Sequence, residues 1–217
     1  MLFRSTLLGL ARAQRKLEKI AEARGTIQKL IQEFPMSGIL DQAWYRHGEF
    51  AYAQADYPAA LAAYDTVLKT FPQSPYVPFA QYGKGWTLIK QKQYPAATEI
   101  LTAMLTTAPQ HALAPDARFA RAMSRRQSND FNGAVEDLQA YLQGNLDADR
   151  KADALYERGL AEVGAMKLDA AEAEADAADF HAAFQAACDR HDPEYYPEFK
   201  AWCDRYFYLP DRKSTRL

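Results

Sequence analysis

One stretch of this chain recurs at a fixed interval. DYPAAL begins at 56, QYPAAT at 93 and DFNGAV at 130, so each starts 37 residues after the last. One step back lies KIAEAR (19–24), and one step on lies KLDAAE (167–172). A small residue holds one column through Ala23, Ala60, Ala97, Ala134 and Ala171. A second column runs Ala11, Gly48, Gly85, Ala122 and Gly159, and Pro35, Pro72 and Pro109 close the first three units. Self-similarity at such an interval marks a solenoid, in which each unit completes its core only by stacking on its neighbours. The chain is therefore expected to be an array, not one non-repeating globule.

Each unit reads as two amphipathic helices. In the second, LDQAWYRHGEFAYAQ (40–54) is helix A and YPAALAAYDTVLKTF (57–71) is helix B. Ala60, Leu61, Tyr64, Val67 and Leu68 fall on one helical stripe. Pro58 and Pro95 sit in a first helical turn, where the missing N–H is no loss. Large residues recur four after the Ala (Ile27, Tyr64, Leu101, Leu138) and seven after it (Leu30, Val67, Met104, Tyr141). The glycine and alanine columns are expected where two helices cross closely. The predicted fold class is all-α, a right-handed helical repeat superhelix of period 37 over residues 1–171. Its units fall at about 4–37, 38–74, 75–111, 112–148 and 149–171, with two extra C-terminal helices at 176–190 and 193–207.

Trp44, Gly48, Ala60, Tyr64 and Pro72, in that order, resemble the tetratricopeptide repeat. The third unit keeps Gly85, Ala97, Leu101 and Pro109, with Tyr82 beside the usual Trp position. The family's usual period is about 34, so the extra length is expected in the turns PQSPYV and PQHALAP. Stretched repeats of this kind are similar to those of bacterial envelope assembly proteins. The resemblance implies a non-catalytic scaffold that binds a protein or peptide in the concave groove lined by the A helices. It does not name the ligand, because the recurring residues are packing residues.

One groove column is informative: Leu8, Tyr45, Tyr82, Phe119 and Tyr156, at a constant spacing of 37. Tyr52 and Trp86 are expected on the same side. An aromatic ladder would grip an extended peptide with large contact area at low entropic cost. The alternative is that the rings pack on the neighbouring A helix, which is preferred for the outer ones. Tyr82 with Trp86 is the best binding pair. A second feature is Arg118, Arg121 and Arg125, which share one face of a helix at spacings of three and four. Guanidinium forks suit an acidic peptide or a carboxylate, whereas the plainer reading is a solvated basic face offset by Glu136 and Asp137. Relatives that clamp a carboxylate use Lys and Asn on helix A, and no groove Asn is present here.

Net charge is -2, which gives no bulk argument for nucleic acid or an anionic membrane. No apolar run approaches the length needed to span a bilayer. MLFRSTLLGLARAQ faintly resembles a signal peptide, but Arg12 interrupts a short apolar run, and the first helix of a repeat fits better. The protein is expected in the cytoplasm as written, or in the envelope or periplasm if the true N-terminus lies upstream. Residues 1–171 hold no phosphate loop, nucleophile motif or metal cluster, so no catalytic residue, cofactor or metal is expected there. His47 and His111 stand alone. Oligomeric state is left open.

The period fails at a definable place. The fifth equivalents of the two large columns are Ala175 and Ala178. From there Asp179-Phe180-His181, Ala186-Ala187-Cys188-Asp189, His191-Asp192-Pro193, Tyr195-Tyr196-Pro197, Trp202-Cys203-Asp204 and Tyr206-Phe207-Tyr208-Leu209-Pro210 resemble a part of oxygen-dependent coproporphyrinogen oxidase, over about 175–210. The resemblance implies a fragment (172–210) of a porphyrin-pathway enzyme that oxidatively decarboxylates coproporphyrinogen III. In that family His-Arg-Gly and a Gly-Gly-x-Phe-Phe-Asp segment follow the Pro, and here Asp211 stands in place of the His. The family's acid/base His and its Asn and Arg contacts have no match, so no catalytic residue is carried over and no activity is expected. DRKSTRL (211–217) matches a translated sequencing adapter, GAT CGG AAG AGC ACA CGT CTG. Three readings stay open: a chimera joined near 172–176, a genuine fusion with an artefactual tail, and a repeat protein whose last helices resemble the oxidase by chance. The chimera is preferred.

Overall fold

The computed structural model describes residues 2–165. Among the described residues there are nine α-helices and no strand. They run α1 (Leu2–Lys16), α2 (Ile20–Glu33), α3 (Leu40–Ala53), α4 (Tyr57–Thr70), α5 (Val77–Lys90), α6 (Tyr94–Thr107), α7 (Ala114–Gln127), α8 (Phe131–Leu142) and α9 (Ala148–Gly164). The helices expected at 176–190 and 193–207 lie outside the described residues. The chain divides into two compact units between Asp130 and Phe131. The first holds α1 to α7 and the second α8 and α9.

The helix boundaries follow from local chemistry. Asp56 caps α4 by accepting from the Ala59 N–H at 3.3 Å, and Pro58 sits in the first turn. Asp147 caps α9 the same way, accepting from Arg150 N–H at 2.8 Å. Helix A ends in a tight reversal. Glu18, Ala55, Lys92 and Asn129 all have φ between 57 and 63°, the left-handed region. They too are spaced by 37. After each, the next N–H reaches back to a carbonyl five residues earlier: Asp56 to Ala51, Gln93 to Leu88 and Asp130 to Arg125, each at 2.9 Å. This is the Schellman closure of a helix end.

In the first unit the large columns are the core. Ala23, Ile27 and Leu30 of α2 are 0% exposed, as are Ala60 and Val67 of α4 and Ala97, Leu101 and Met104 of α6. Leu7, Leu8 and Ala11 of α1 join the α2 cluster, so residues 2–16 form the first helix of the array. The small column has a physical reason. A Cβ on Gly48 would fall 2.6 Å from the Tyr64 ring, and one on Gly85 would fall 2.7 Å from Leu101. A Cβ on Gly83 would also fall 2.6 Å from the Tyr64 ring, so that ring is clasped between α3 and α5. In the second unit Ala134, Leu138 and Tyr141 of α8 are buried, as are Leu155 and Tyr156 of α9. Phe131 fills the space a side chain at Gly164 would need. Gly159 meets nothing within 4 Å among the described residues.

Candidate functional site

The A helices of the first unit share a wet face. On α3 it carries Gln42, Tyr45, Glu49 and Tyr52, on α5 Phe79, Tyr82, Trp86 and Ile89, and on α7 Asp116, Phe119, Met123 and Arg126. Spacings of three and four put each set on one side of its helix, and each set is the previous one shifted by 37. Every one of these residues is half-buried. Their inner flanks pack while their outer flanks stay accessible.

Tyr45 is the most tightly held. Its ring stacks on Tyr76 (centroids 5.4 Å apart, planes at 24°) and touches Phe79 at 5.7 Å and Tyr64 at 6.3 Å. The Arg46 guanidinium lies 5.3 Å from its centroid. Its hydroxyl donates to Glu49, and burial followed by the Glu49 charge raises its pKa well above the usual tyrosine range. Arg46 in turn pairs with Glu49. Gln42 donates to the Tyr76 hydroxyl, fixing the ring on which Tyr45 stacks. Phe79 meets His111 edge-on at 4.7 Å, so the aromatic contacts run from α3 to the turn before α7. Such edge and offset contacts each add about 0.5–1.5 kcal/mol beyond area burial.

Tyr82 and Trp86 meet at 6.4 Å, T-shaped at 83°. Both pack against Leu101, Met104, Ala117 and Ala120. Phe119 is half-buried on α7. Tyr52 is half-buried beside Tyr57 at 5.9 Å, and burial raises its hydroxyl pKa. The column's two ends differ from its middle. Leu8 and Tyr156 are each 7% exposed, so neither offers much surface to a partner. Tyr156 lies in the second unit.

The three arginines are half-buried, and two of them are anchored. Arg121 donates to Thr102 of α6 at 3.2 Å, and Arg125 pairs with Asp130 at 3.3 Å. Arg121 repeats a contact one unit earlier, where Lys84 of α5 pairs with Asp65 of α4 at 2.6 Å. Burial pushes the Asp65 carboxyl up, but Lys84 and Lys69 outweigh it and hold its pKa low. Arg118, on the same helix, is half-buried. Sequence reasoning missed Arg46 and Glu49, the charged pair inside the aromatic face. The signal was present: Glu49 occupies the column of Trp86 and Met123. Among the described residues no group of three or more His, Cys, Asp or Glu side chains could hold a metal ion. No described helix is long and apolar enough to cross a membrane.

These features define an all-α helical repeat array similar to the tetratricopeptide fold. The tetratricopeptide repeat family matches residues 8–75 and 45–112. Solved structures share the fold: MamA 41-end from Desulfovibrio magneticus RS-1 (19% identity, TM-score 0.69, covering 87% of this chain and 97% of that one) and YrrB, described as a TPR protein with an unusual peptide-binding site (17%, TM-score 0.62, 90% of each). The C-terminal part is different. The coproporphyrinogen III oxidase family matches residues 168–216, so the match begins before 175 and runs beyond Pro210. The oxygen-dependent coproporphyrinogen-III oxidases of Drosophila melanogaster and Rickettsia bellii are 54% and 58% identical over 43 residues, which is 20% of this chain. The chain spans only 11% and 15% of those two proteins. Residues 8–112 thus match tetratricopeptide repeats within an all-α array of helices, and residues 168–216 match a short oxidase segment.

Proposed function

We propose that the chain is a protein-interaction scaffold that holds an extended peptide against the A-helix face of its first unit. The observation that carries this is the half-buried aromatic strip of Tyr45, Phe79, Tyr82, Trp86 and Phe119, interrupted by the Arg46–Glu49 pair. Half-buried rings are already ordered, so a ligand gains contact area at little further entropic cost. A peptide-binding site in YrrB, a neighbour in fold, makes the reading natural without identifying a ligand. Tyr45, Tyr52, Tyr82, Trp86 and Phe119 are the proposed contacts. Arg118 is a further candidate at one edge, and Tyr156 is the least accessible of the ladder.

The test is selection of binders from a random peptide library, followed by affinity measurement. Tyr82→Ala with Trp86→Ala should weaken a selected peptide at least tenfold while far-UV circular dichroism stays unchanged. Both rings also pack inward, so Tyr82→Phe with Trp86→Phe, which keeps the packing, serves as a second variant and should weaken binding less than the alanine pair. Selected peptides that bind both variants as well as the parent would sink the proposal.

A second reading rests on the 168–216 match alone. That segment derives from a coproporphyrinogen oxidase, brought in either by natural fusion or by a joining artefact near 172–176, with 211–217 contributed by oxidase or adapter sequence. Resequencing the source DNA from the Trp86 codon past Pro210 separates these. Turnover of coproporphyrinogen III by the purified chain under oxygen would overturn the scaffold-only reading.

A further inference from the structure

The aromatic strip has a regular pitch. Tyr45, Tyr82 and Phe119 hold one column at intervals of 37, on α3, α5 and α7. These helices also pack on one another, α3 on α5 and α5 on α7. Packed helix axes lie about 8–10 Å apart, so a ligand that crosses the A helices meets one ring of the column at each such step. A β-strand repeats its face every two residues, about 6.6 Å, and falls out of step at once. A polyproline II helix has three residues per turn and rises about 3.1 Å per residue, so its face recurs about every 9.3 Å. That repeat matches the pitch of the column.

The chemistry of the strip suits the same conformer. Its rings form a continuous floor: Tyr45 stacks on Tyr76, both touch Phe79, and Tyr82 meets Trp86 edge-on. All five are half-buried, so a ligand meets only their outer flanks. Shallow contact of that kind favours a thin ligand over a helix about 10 Å across. The polar groups are donors or are already engaged. Glu49 accepts from Tyr45 and from Arg46, while the Trp86 indole and the Arg46 guanidinium can only donate. Each proline in a ligand removes a backbone N–H and keeps its carbonyl, which is the balance such a site can satisfy. The Arg46 and Glu49 charges cancel at the centre of the strip. Burial raises the Tyr45 hydroxyl pKa most, and Arg15 of α1 is among the cations close enough to oppose it. A cation therefore flanks the Tyr45 end.

We propose that the strip binds a proline-rich segment of a partner protein in the polyproline II conformation, with prolines three residues apart seated on Tyr45, Tyr82 and Phe119 and a carboxylate flanking the Tyr45 end. This rests on the peptide-binding reading above and specifies its ligand. Prolines lie on aromatic rings in grooves of this kind, and their conformation is set before binding, so little ordering cost remains. Trp86 donates its indole N–H to a ligand carbonyl between the first two seats. The ligand carboxylate pairs with Arg15, and the rest of the segment is uncharged, as the balanced centre of the strip requires. The competing occupant is an α-helix, whose face recurs every seven residues, about 10.5 Å.

The probe is a fluorescent synthetic peptide with three prolines spaced by three, alanine between them and glutamate at both ends. Its control has the same composition with the prolines spaced by two. Anisotropy titration against the full chain should show saturable binding, tighter for the probe by about tenfold, because the control loses two of three ring contacts. This comparison needs no change to the protein. Trp86→Phe keeps a ring and removes the donor, and should weaken the probe about fivefold. Replacing the glutamates by lysines should also weaken it, and Arg15→Glu should reverse that preference. Three results would each overturn the proposal. The first is equal binding of probe and control. The second is no binding of the probe at millimolar concentration while a random library yields peptides that are lost with Tyr82→Ala and Trp86→Ala. The third is selected peptides whose anchors recur every seven residues and which gain helix on binding. In the last two cases the peptide-binding reading stands and only the ligand assignment falls. If neither the library nor the probe yields a binder, both fall.

Discussion

Ala55 adopts φ 57° at the end of α3, where an L side chain crowds the following carbonyl. The conformation is forced by the Schellman bond from Asp56 N–H to Ala51 at 2.9 Å. Glycine takes this shape without the crowding. Ala55→Gly should therefore stabilise the chain by about 1 kcal/mol, read as a Tm rise of about 2–4 °C in thermal unfolding. Gly83 is the opposite case. Its helix has ordinary backbone angles, but a Cβ there would lie 2.6 Å from the Tyr64 ring, which is itself 2% exposed and hemmed in by Gly48. The ring has nowhere to retreat. Gly83→Ala should cost about 1–3 kcal/mol, as overpacking does, despite alanine's better helix propensity. A chemical-denaturation midpoint that rises in Gly83→Ala would show that the slot is looser than these distances imply.

At the scale of elements, the junction of α2, α3 and α4 carries a pH dependence. Arg24 of α2 pairs with Asp56 at 2.7 Å and donates to Gln54 at 2.9 Å, tying α2 to the turn between α3 and α4. His47 of α3 lies in the same region, edge-on to Trp44 at 5.9 Å. Burial lowers its pKa, the Arg24 charge lowers it further, and Asp56 opposes weakly. The folded chain therefore resists a proton that the unfolded chain accepts. Stability is complete above the ordinary histidine value of about 6.5 and falls as pH drops below it toward the folded value. Urea midpoints should decline from pH 7 to pH 5.5, and His47→Gln should flatten that decline. The same elements show what could be read from residues alone. The alanine, large-residue and glycine columns were legible because packing selects side-chain size at a fixed interval. The left-handed column was not: Glu18, Ala55, Lys92 and Asn129 share a backbone shape and no chemistry. The aromatic column was legible as a pattern, but its wetness was not, since Tyr45 and Tyr156 occupy one register and only Tyr156 is nearly covered. Arg121 looked like part of a basic surface. Its contact with Thr102 spans the same 19 residues as Lys84 with Asp65, a spacing that means something only once helix B is known to pack on the next helix A.

Across the first unit, the helices pack on their neighbours in sequence, so stability is a sum of local terms joined by nearest-neighbour interfaces. Leu101 tests this. It is 0% exposed, lies against Gly85 of α5, and shares a cluster with Met104, Ala117 and Ala120 across α6 and α7. Leu101→Ala removes buried methyl groups and leaves a cavity, at a cost of about 2–5 kcal/mol. In a single-core globule that loss would lower amide protection everywhere. In an array it is concentrated in the elements that touch the cavity. Hydrogen exchange should therefore accelerate strongly in α5, α6 and α7 and much less in α1 and α2, whose own core of Ile27, Leu30 and Phe50 is untouched. Uniform acceleration from α1 to α7 would mean that the unit opens as one cooperative body. A gradient falling away from α6 would mean that the aromatic strip can loosen at Tyr82 and Trp86 while Tyr45 stays fixed, so a bound peptide could be released from one end first.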